Sequence, residues 1–237
     1  MTSLYRPVSV ARAVLASASL LLAAAPAPAA DPQFPQVSPD GLQLRKTLPY
    51  GAVYVKQGAD FSQYKSVGLL ECYVEFTKNW ARDYNQNEPG LSAQVTPEDE
   101  TRIKNDLSVQ FNKVFVAELG KNGDFQIVTA QAPGVLMLRP SLLNVIVTAP
   151  DVDTPGPSVD IVASAGQMTL YLELWDGGSS TLLARVIDAE ADPGKGGMAE
   201  QANSVTNQAA ADEMLKRWAD RLRKALDAAR SAAPVSP

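Results

Sequence analysis

Three consecutive stretches decide the fold: Gln167-Met-Thr-Leu-Tyr-Leu-Glu-Leu-Trp175, the turn Asp176-Gly-Gly-Ser179, and the return Thr181-Leu-Leu-Ala-Arg-Val-Ile-Asp-Ala189. In the first, Met168, Leu170, Leu172 and Leu174 alternate with Thr169, Tyr171, Glu173 and Trp175. Successive side chains of a strand point to opposite faces, so this pattern predicts a strand with one face in a core. Asp-Gly-Gly-Ser is a strong reversal signal, which makes Thr181–Ala189 the antiparallel partner.

Working outward, Val135–Ala149 is a long apolar strand candidate that Pro140 is expected to break or bulge. Phe125–Thr129 is a shorter one. Ahead of them, Thr96-Pro-Glu-Asp99 announces a helix: Thr as N-cap, Pro at the first helical position, acids at the positive end of the dipole. Ile103, Leu107, Phe111, Val114 and Phe115 form its apolar stripe, and Gly120 and Gly123 stop it. Further upstream, Ser66–Phe76 reads as a strand with Leu70, Cys72, Val74 and Phe76 on one face and Glu71 and Glu75 on the other. Gly51–Lys56 is another short strand, followed by a turn at Gly58–Ser62. Lys78–Gly90 is polar and aromatic, a loop with at most one helical turn. Beyond the hairpin, Gly194–Gly197 is a loop. A last helix spans Val205–Ala229, with Leu215, Trp218, Leu222, Ala225, Leu226 and Ala229 inward and Arg217, Arg221, Lys224 and Arg230 on a solvated face. These elements predict an α+β fold: one mixed or mostly antiparallel sheet of about five strands, with two helices packed on one face.

The ends of the chain read differently. Arg6 and Arg12 precede the uncharged apolar run Ala13–Ala25, which ends in Pro26-Ala-Pro-Ala-Ala30. A positive start, a short apolar run and small residues at the −1 and −3 positions predict an export signal cleaved after Ala29. The run is shorter than the roughly 18–20 residues a membrane anchor requires. The expected organisation is a signal peptide (1–29), a flexible Pro-rich leader (30–49), one α+β domain (50–230) and a disordered tail (231–237). The product is expected to be periplasmic or secreted, with no transmembrane helix in the mature chain.

Several motifs in order resemble one family. Tyr54-Val-Lys-Gln-Gly-Ala-Asp-Phe-Ser-Gln-Tyr-Lys-Ser-Val67, Lys78-Asn-Trp-Ala-Arg-Asp-Tyr84, Val147-Thr-Ala-Pro-Asp151, Ala163-Ser-Ala-Gly-Gln-Met-Thr169 and Ala202-Asn-Ser-Val-Thr-Asn207 resemble the signatures of the bacterial family called domain of unknown function 3313. The resemblance runs from about Tyr50 to Leu226. It implies an exported protein of Gram-negative bacteria, with no activity attached. Many members look like lipoproteins, whereas this chain has no cysteine beside its cleavage site, so no lipid anchor is expected. The coarse layout is also similar to the N-terminal domains of Tol-system and curli-export envelope proteins, an analogy of fold alone.

Composition excludes several chemistries. The 237 residues hold 21 Lys+Arg, 26 Asp+Glu, no histidine and one cysteine. The acidic balance argues against nucleic acid and anionic lipid as partners. A lone cysteine makes no internal disulfide. Without histidine, the usual serine and cysteine triads and His/Cys zinc sites are excluded. Cys72, on the apolar face of its strand, reads as a small buried hydrophobe. Ser62-Gln-Tyr-Lys65 has Ser-x-x-Lys spacing but lies in a turn. Asp151-Val-Asp-Thr-Pro-Gly156 starts like a calcium loop and fails at Pro155 and Val162. Pro193-Gly-Lys-Gly-Gly197 lacks the full phosphate-loop pattern. No cofactor and no metal ligand set is expected.

The expectation is therefore a non-catalytic exported envelope protein that binds another protein or an envelope polymer. Candidate contacts are Trp80, Arg82, Asp83 and Tyr84, beyond the end of a core strand, with Asn203 and Asn207. Trp80 and Tyr84 could equally cap the core, and Asn203, Ser204 or Thr206 could simply cap the last helix. An alternative is a periplasmic protein that holds a small ligand between the sheet and the 148–160 loop. A third reading, a hydrolase built on paired carboxylates, needs two such groups at a suitable separation.

Overall fold

The structure, a computed structural model, describes residues 34–48, 51–87, 94–148, 160–162, 166–191, 200–202 and 204–231. The segment read as an export signal, the stretches Asp151–Gly156 and Pro193–Gly197, Asn203 and residues 232–237 lie outside the described residues. In chain order the described elements are β1 (Gln43–Leu48), β2 (Gly51–Val55), β3 (Ser66–Leu69), β4 (Tyr73–Phe76), α1 (Trp80–Asn87), α2 (Pro97–Leu119), β5 (Gln126–Val128), β6 (Val135–Val147), β7 (Asp160–Val162), β8 (Gly166–Asp176), β9 (Leu182–Ala191), β10 (Glu200–Ala202) and α3 (Ser204–Ser231).

The fold is α+β with a mixed main sheet, ordered β1-β2-β9-β8-β6-β3-β5, with β4 beside the second half of β6. Pairings from β1 through β6 are antiparallel; β3, β4 and β5 run parallel to β6. β7 and β10 form a separate two-stranded ribbon. Among the described residues the sheet has eight strands rather than five, and there are three α-helices rather than two. Part of the difference is β1, which lies in the stretch read as leader. Another part is the strand expected over Ser66–Phe76, which divides at Leu70–Cys72 into β3 and β4. The third helix, α1, occupies the segment expected to be loop.

The β8–β9 hairpin follows its sequence pattern. Met168, Leu170, Leu172 and Leu174 are buried against the helices, and β9 pairs along the full length. The turn is held by Asp176. Its Oδ1 accepts from the Gly178 and Ser179 amides and the Ser179 hydroxyl at 3.0, 2.6 and 2.8 Å, and its Oδ2 accepts from the Tyr64 hydroxyl at 2.6 Å. Gly177 packs on backbone: a Cβ there would sit 2.6 Å from the Ala132 carbonyl oxygen.

Pro140 does not break β6. The Leu138 carbonyl accepts from Leu70 N at 3.0 Å, so even-numbered residues of this stretch turn their backbone groups toward β3 and β4. The missing Pro140 donor therefore faces the gap between those two strands, where no ladder bond is lost. The irregularity comes instead at Asn144, in the left-handed region at φ 52°, where the pairing with β4 and β8 shifts register.

Helix α2 begins as its sequence announces. Thr96 and Asp99 form a reciprocal capping box, with Pro97 in the first turn. Leu107, Phe111, Val114, Phe115 and Leu119 are buried, and they join Ala211, Met214, Leu215, Trp218, Ala219, Leu222 and Leu226 of α3 in one core with β3, β4, β6 and β8. Ala225, expected inward on α3, is exposed. The arginines of α3 are not simply solvated. Arg217 and Arg221 pair with Glu190 of β9, and Arg221 also reaches Asp188. Arg230 donates to the Asp124 carbonyl and stacks on Phe125. No described helix is long and apolar enough to cross a membrane.

Among the described residues, the opposite face of the sheet carries no helix. Leu42, Ala52 and Tyr54 form a small cluster there with Phe34, Leu44 and Leu182. Next to it runs the cross-strand row Arg139–Glu173–Arg185. Arg185 is tied to Glu173 at 2.9 Å and to Asp40 at 3.0 Å, which fastens the segment before β1 to the middle of the sheet. Each charge in this half-dry row has an opposite neighbour, which offsets its loss of water.

Candidate functional site

A groove of about 520 Å³ lies where α2 and α3 meet the end of β6 and the start of β8. Its floor is apolar: Leu107 of α2, Val145 of β6, Met168 of β8, and Ala211 and Met214 of α3. Each belongs to a stripe that turns inward, and the floor is where four stripes fail to close completely on one another. The rim is polar, with Asp106, Gln110 and Lys113 from α2, Gln167 from β8 and Gln208 and Asp212 from α3. Gln110 bridges the helices across the groove. Its Nε2 donates to the Gln208 carbonyl at 2.9 Å and to Asp212 Oδ1 at 2.8 Å. These two bonds use both hydrogens of the amide nitrogen.

The groove lies at the end of the sheet where β6 leaves toward the 148–160 segment, most of which is outside the described residues. Its volume falls in the range of ordinary small-molecule sites, and an apolar floor with a few polar groups is what such sites need. Among the described residues no group of three or more acids or cysteines is placed to hold a metal ion.

None of the sequence-picked residues that the structure describes lines the groove. Trp80 is 7 % exposed and opens α1. Its ring stacks on Phe76 at 4.1 Å, and its indole N–H donates to the Val147 carbonyl at 3.0 Å. Val147 lines the groove, so Trp80 backs the groove wall without entering it. Tyr84 is half-buried, 6.2 Å from Trp80 ring to ring. Arg82 and Asp83 are exposed and pair with each other at 2.8 Å. Asn85, which sequence reasoning passed over, bonds both backbone groups of Val95 and fixes α1 to the approach to α2. Asn207 lies near the start of α3, and Asn203 is outside the described residues.

Cys72 is buried, and burial pushes its thiol pKa up to about 12. At neutral pH it is a thiol, not a nucleophile. On the far side of the core, Asp188 of β9 is buried and accepts from the Trp218 indole at 3.0 Å. Burial raises its pKa; the Trp218 bond and the Arg221 charge work against that rise. Neither group lines the groove.

Sequence reasoning missed the groove residues because no local pattern joins them. Gln110 and Asp212 are 102 positions apart and meet only because two helices share one face of the sheet. The available signal was the small or polar residue inside each apolar stripe: Gln110 beside Leu107, and Ala211 and Asp212 beside Met214.

Comparisons with known proteins add the following. No curated protein matches the chain. Among solved structures, a point variant of PelC from Paraburkholderia phytofirmans, crystallised as a dodecamer, is 10 % identical and covers 73 % of this chain and 98 % of that one, at a TM-score of 0.38. A Xanthomonas campestris protein of the DUF330 family is 11 % identical, covering 75 % of this chain and 89 % of that one, at 0.37. A homolog of a neuraminyllactose-binding hemagglutinin from Helicobacter pylori is 13 % identical, covering 72 % and 95 %, at 0.29. Likenesses this remote fix neither the details of the fold nor a function. The match to a family model is of another kind: the model described as protein of unknown function (DUF3313) covers residues 36–222, every described strand, α1, α2, most of α3 and the groove, and the chain belongs to that family.

Proposed function

We propose that this chain is a non-catalytic exported binding module of the bacterial envelope, and that it holds a small, largely apolar ligand in the groove between α2, α3 and the ends of β6 and β8. The observation that carries this reading is the groove itself: about 520 Å³, apolar below and hydrogen-bonding above. The ligand would rest its apolar part on Leu107, Val145, Met168 and Met214 and direct polar groups to Gln167, Lys113 or Asp212. Burial of apolar surface would supply most of the affinity and the rim would set orientation. The absence of histidine from the sequence and the buried, protonated Cys72 favour binding over nucleophilic catalysis. Export rests on the pattern of Arg6, Arg12, Ala13–Ala25 and Ala27–Ala29.

The test is native mass spectrometry of the chain purified from its own envelope fraction, beside an Ala211→Phe variant. Ala211 lines the groove, and a ring there would occupy its space. The expected result is a small molecule retained by the natural chain and lost from the variant. Equal retention by both, or no molecule on either, contradicts the proposal.

A further inference from the structure

The main sheet leaves one of its edges open. β5 flanks β3 only over Ser66–Gly68, and β4, which prolongs β3, has β6 as its one strand partner among the described residues. Among the described residues, the outer backbone edge from Leu70 to Phe76 therefore has no strand beside it. Such an edge is a template for another chain, and proteins usually blunt it with lysines, proline or a bulge. The opposite edge, β1, is blunted in that way. It has a register shift between Leu44 and Lys46, exposed Arg45 and Lys46, and bonds from Gln36 and Val37 that cover part of it.

The β4 edge has none of these devices, since the register shift opposite it lies in β6. It is instead dressed for contact. Leu70 and Tyr73 are 44 % and 58 % exposed, and the charges beside them are Glu71 and Glu75, both exposed. The Tyr73 hydroxyl donates to Glu75 Oε2 at 3.3 Å, which holds the ring and the acid together. Two such acidic edges repel each other, so a second copy of the same edge is disfavoured. A basic strand is favoured by the same charges.

We infer that the Leu70–Phe76 edge is a docking site for an extended, basic segment of another protein, which joins the sheet as a strand beside β4. Backbone hydrogen bonds along β4 supply the affinity, and alternate side chains supply the choice of partner. Glu75 is in β4 and Glu71 just before it; four extended residues span about 13 Å, so cations four apart on the incoming chain would meet both acids. The residue midway between them would lie on Tyr73. The preferred sequence is thus cation-x-apolar-x-cation. This site is independent of the groove: β4 lines no part of it.

The experiment uses a fluorescein-labelled peptide, Thr-Lys-Thr-Leu-Thr-Lys-Thr, and fluorescence anisotropy with the folded chain. The Lys peptide should bind, and its Glu counterpart should not. Glu71→Lys with Glu75→Lys, both at exposed positions, should weaken the Lys peptide about tenfold or more and admit the Glu peptide. Two further peptides, N-methylated at alternate residues on one edge or the other, should separate: one keeps binding and one loses it. Equal behaviour of the two N-methylated peptides would mean charge attraction without strand pairing and overturn the inference. So would no binding up to about 1 mM peptide, or self-association of the chain that the double substitution abolishes, which would assign the edge to a second copy.

Discussion

Replacing Trp80 separates a structural role for α1 from a recognition role. The ring is nearly buried, stacked on Phe76 and bonded through its N–H to the Val147 carbonyl. Truncating a buried tryptophan to alanine costs about 3–5 kcal/mol, because its contacts go and a cavity remains. In a domain of this size each kcal/mol moves the melting temperature by about 2–4 °C. Trp80→Ala should therefore unfold about 6–20 °C earlier. Trp80→Phe keeps a ring on Phe76 but removes the donor to Val147 and part of the buried ring volume, so it should cost less than the alanine, about 1–3 kcal/mol. Arg82→Ala, in an exposed ion pair, should leave stability within about 0.5 kcal/mol of the natural chain. Urea unfolding followed by circular dichroism measures all three. If Trp80→Ala cost less than about 1 kcal/mol, or Arg82→Ala cost as much as Trp80→Ala, the assignment of Trp80 to the core would be wrong.

Other outcomes follow from the same contacts. Asp176 is held down to about 2, first by the Tyr64 hydroxyl and then by the Ser179 amide and hydroxyl. A carboxyl with a lowered folded pKa stabilises above its unfolded value and loses that contribution as pH falls toward 2. Unfolding from pH 5 to pH 2 should show this loss, and Asp176→Asn should reduce the slope; an unchanged slope refutes it. Asp188 is shifted the other way, chiefly by burial, so ionising it works against folding. Its stabilising share is present below the ordinary value of 3.8 and disappears as pH rises through the folded value. Asp188→Asn keeps an acceptor for Trp218, so thermal melts at pH 7 should show no loss of stability; a drop of several degrees would mean the charge itself is required by Arg221. Gly177→Ala should destabilise by about 1–3 kcal/mol, because its Cβ meets backbone oxygen rather than a movable side chain; chemical denaturation reads it directly, and a neutral result would show that the turn can shift.

Much of the architecture can be read from the chain because each legible element carries a complete local code. Alternation with Asp-Gly-Gly-Ser marks β8 and β9. Thr96-Pro-Glu-Asp99 and a five-residue stripe mark α2. Elements without such a code were lost. β1 reads Gln-Leu-Arg-Lys-Thr-Leu, with basic residues where a strand core would be apolar, and it follows a run of prolines. α1 is short and polar, and it starts just after Asn79 in the left-handed region at φ 65°, a backbone state that no neighbour signals. The break at Leu70–Cys72 could not be seen because the apolar–acidic alternation continues through it. Pro140 misled for a related reason: its tolerance depends on that same break, in a strand some 70 positions away.

The site was less legible than the fold. Trp80, Arg82, Asp83 and Tyr84 attracted notice as residue types that often anchor interfaces, and the fold places Trp80 behind the groove wall. The groove depends on four stripes from distant parts of the chain leaving a gap, and no single stripe records that gap.

The central claim is that the groove receives a ligand, and methionine methyl resonances test it directly. Met168 and Met214 line the groove, while Met137 is buried outside it. The chain, labelled at its methionine methyls, is titrated with the small-molecule fraction extracted from its own envelope. Saturable shifts of Met168 and Met214, with Met137 unmoved, are the expected result. Shifts confined to Met137, or none at any of the three, would contradict the account.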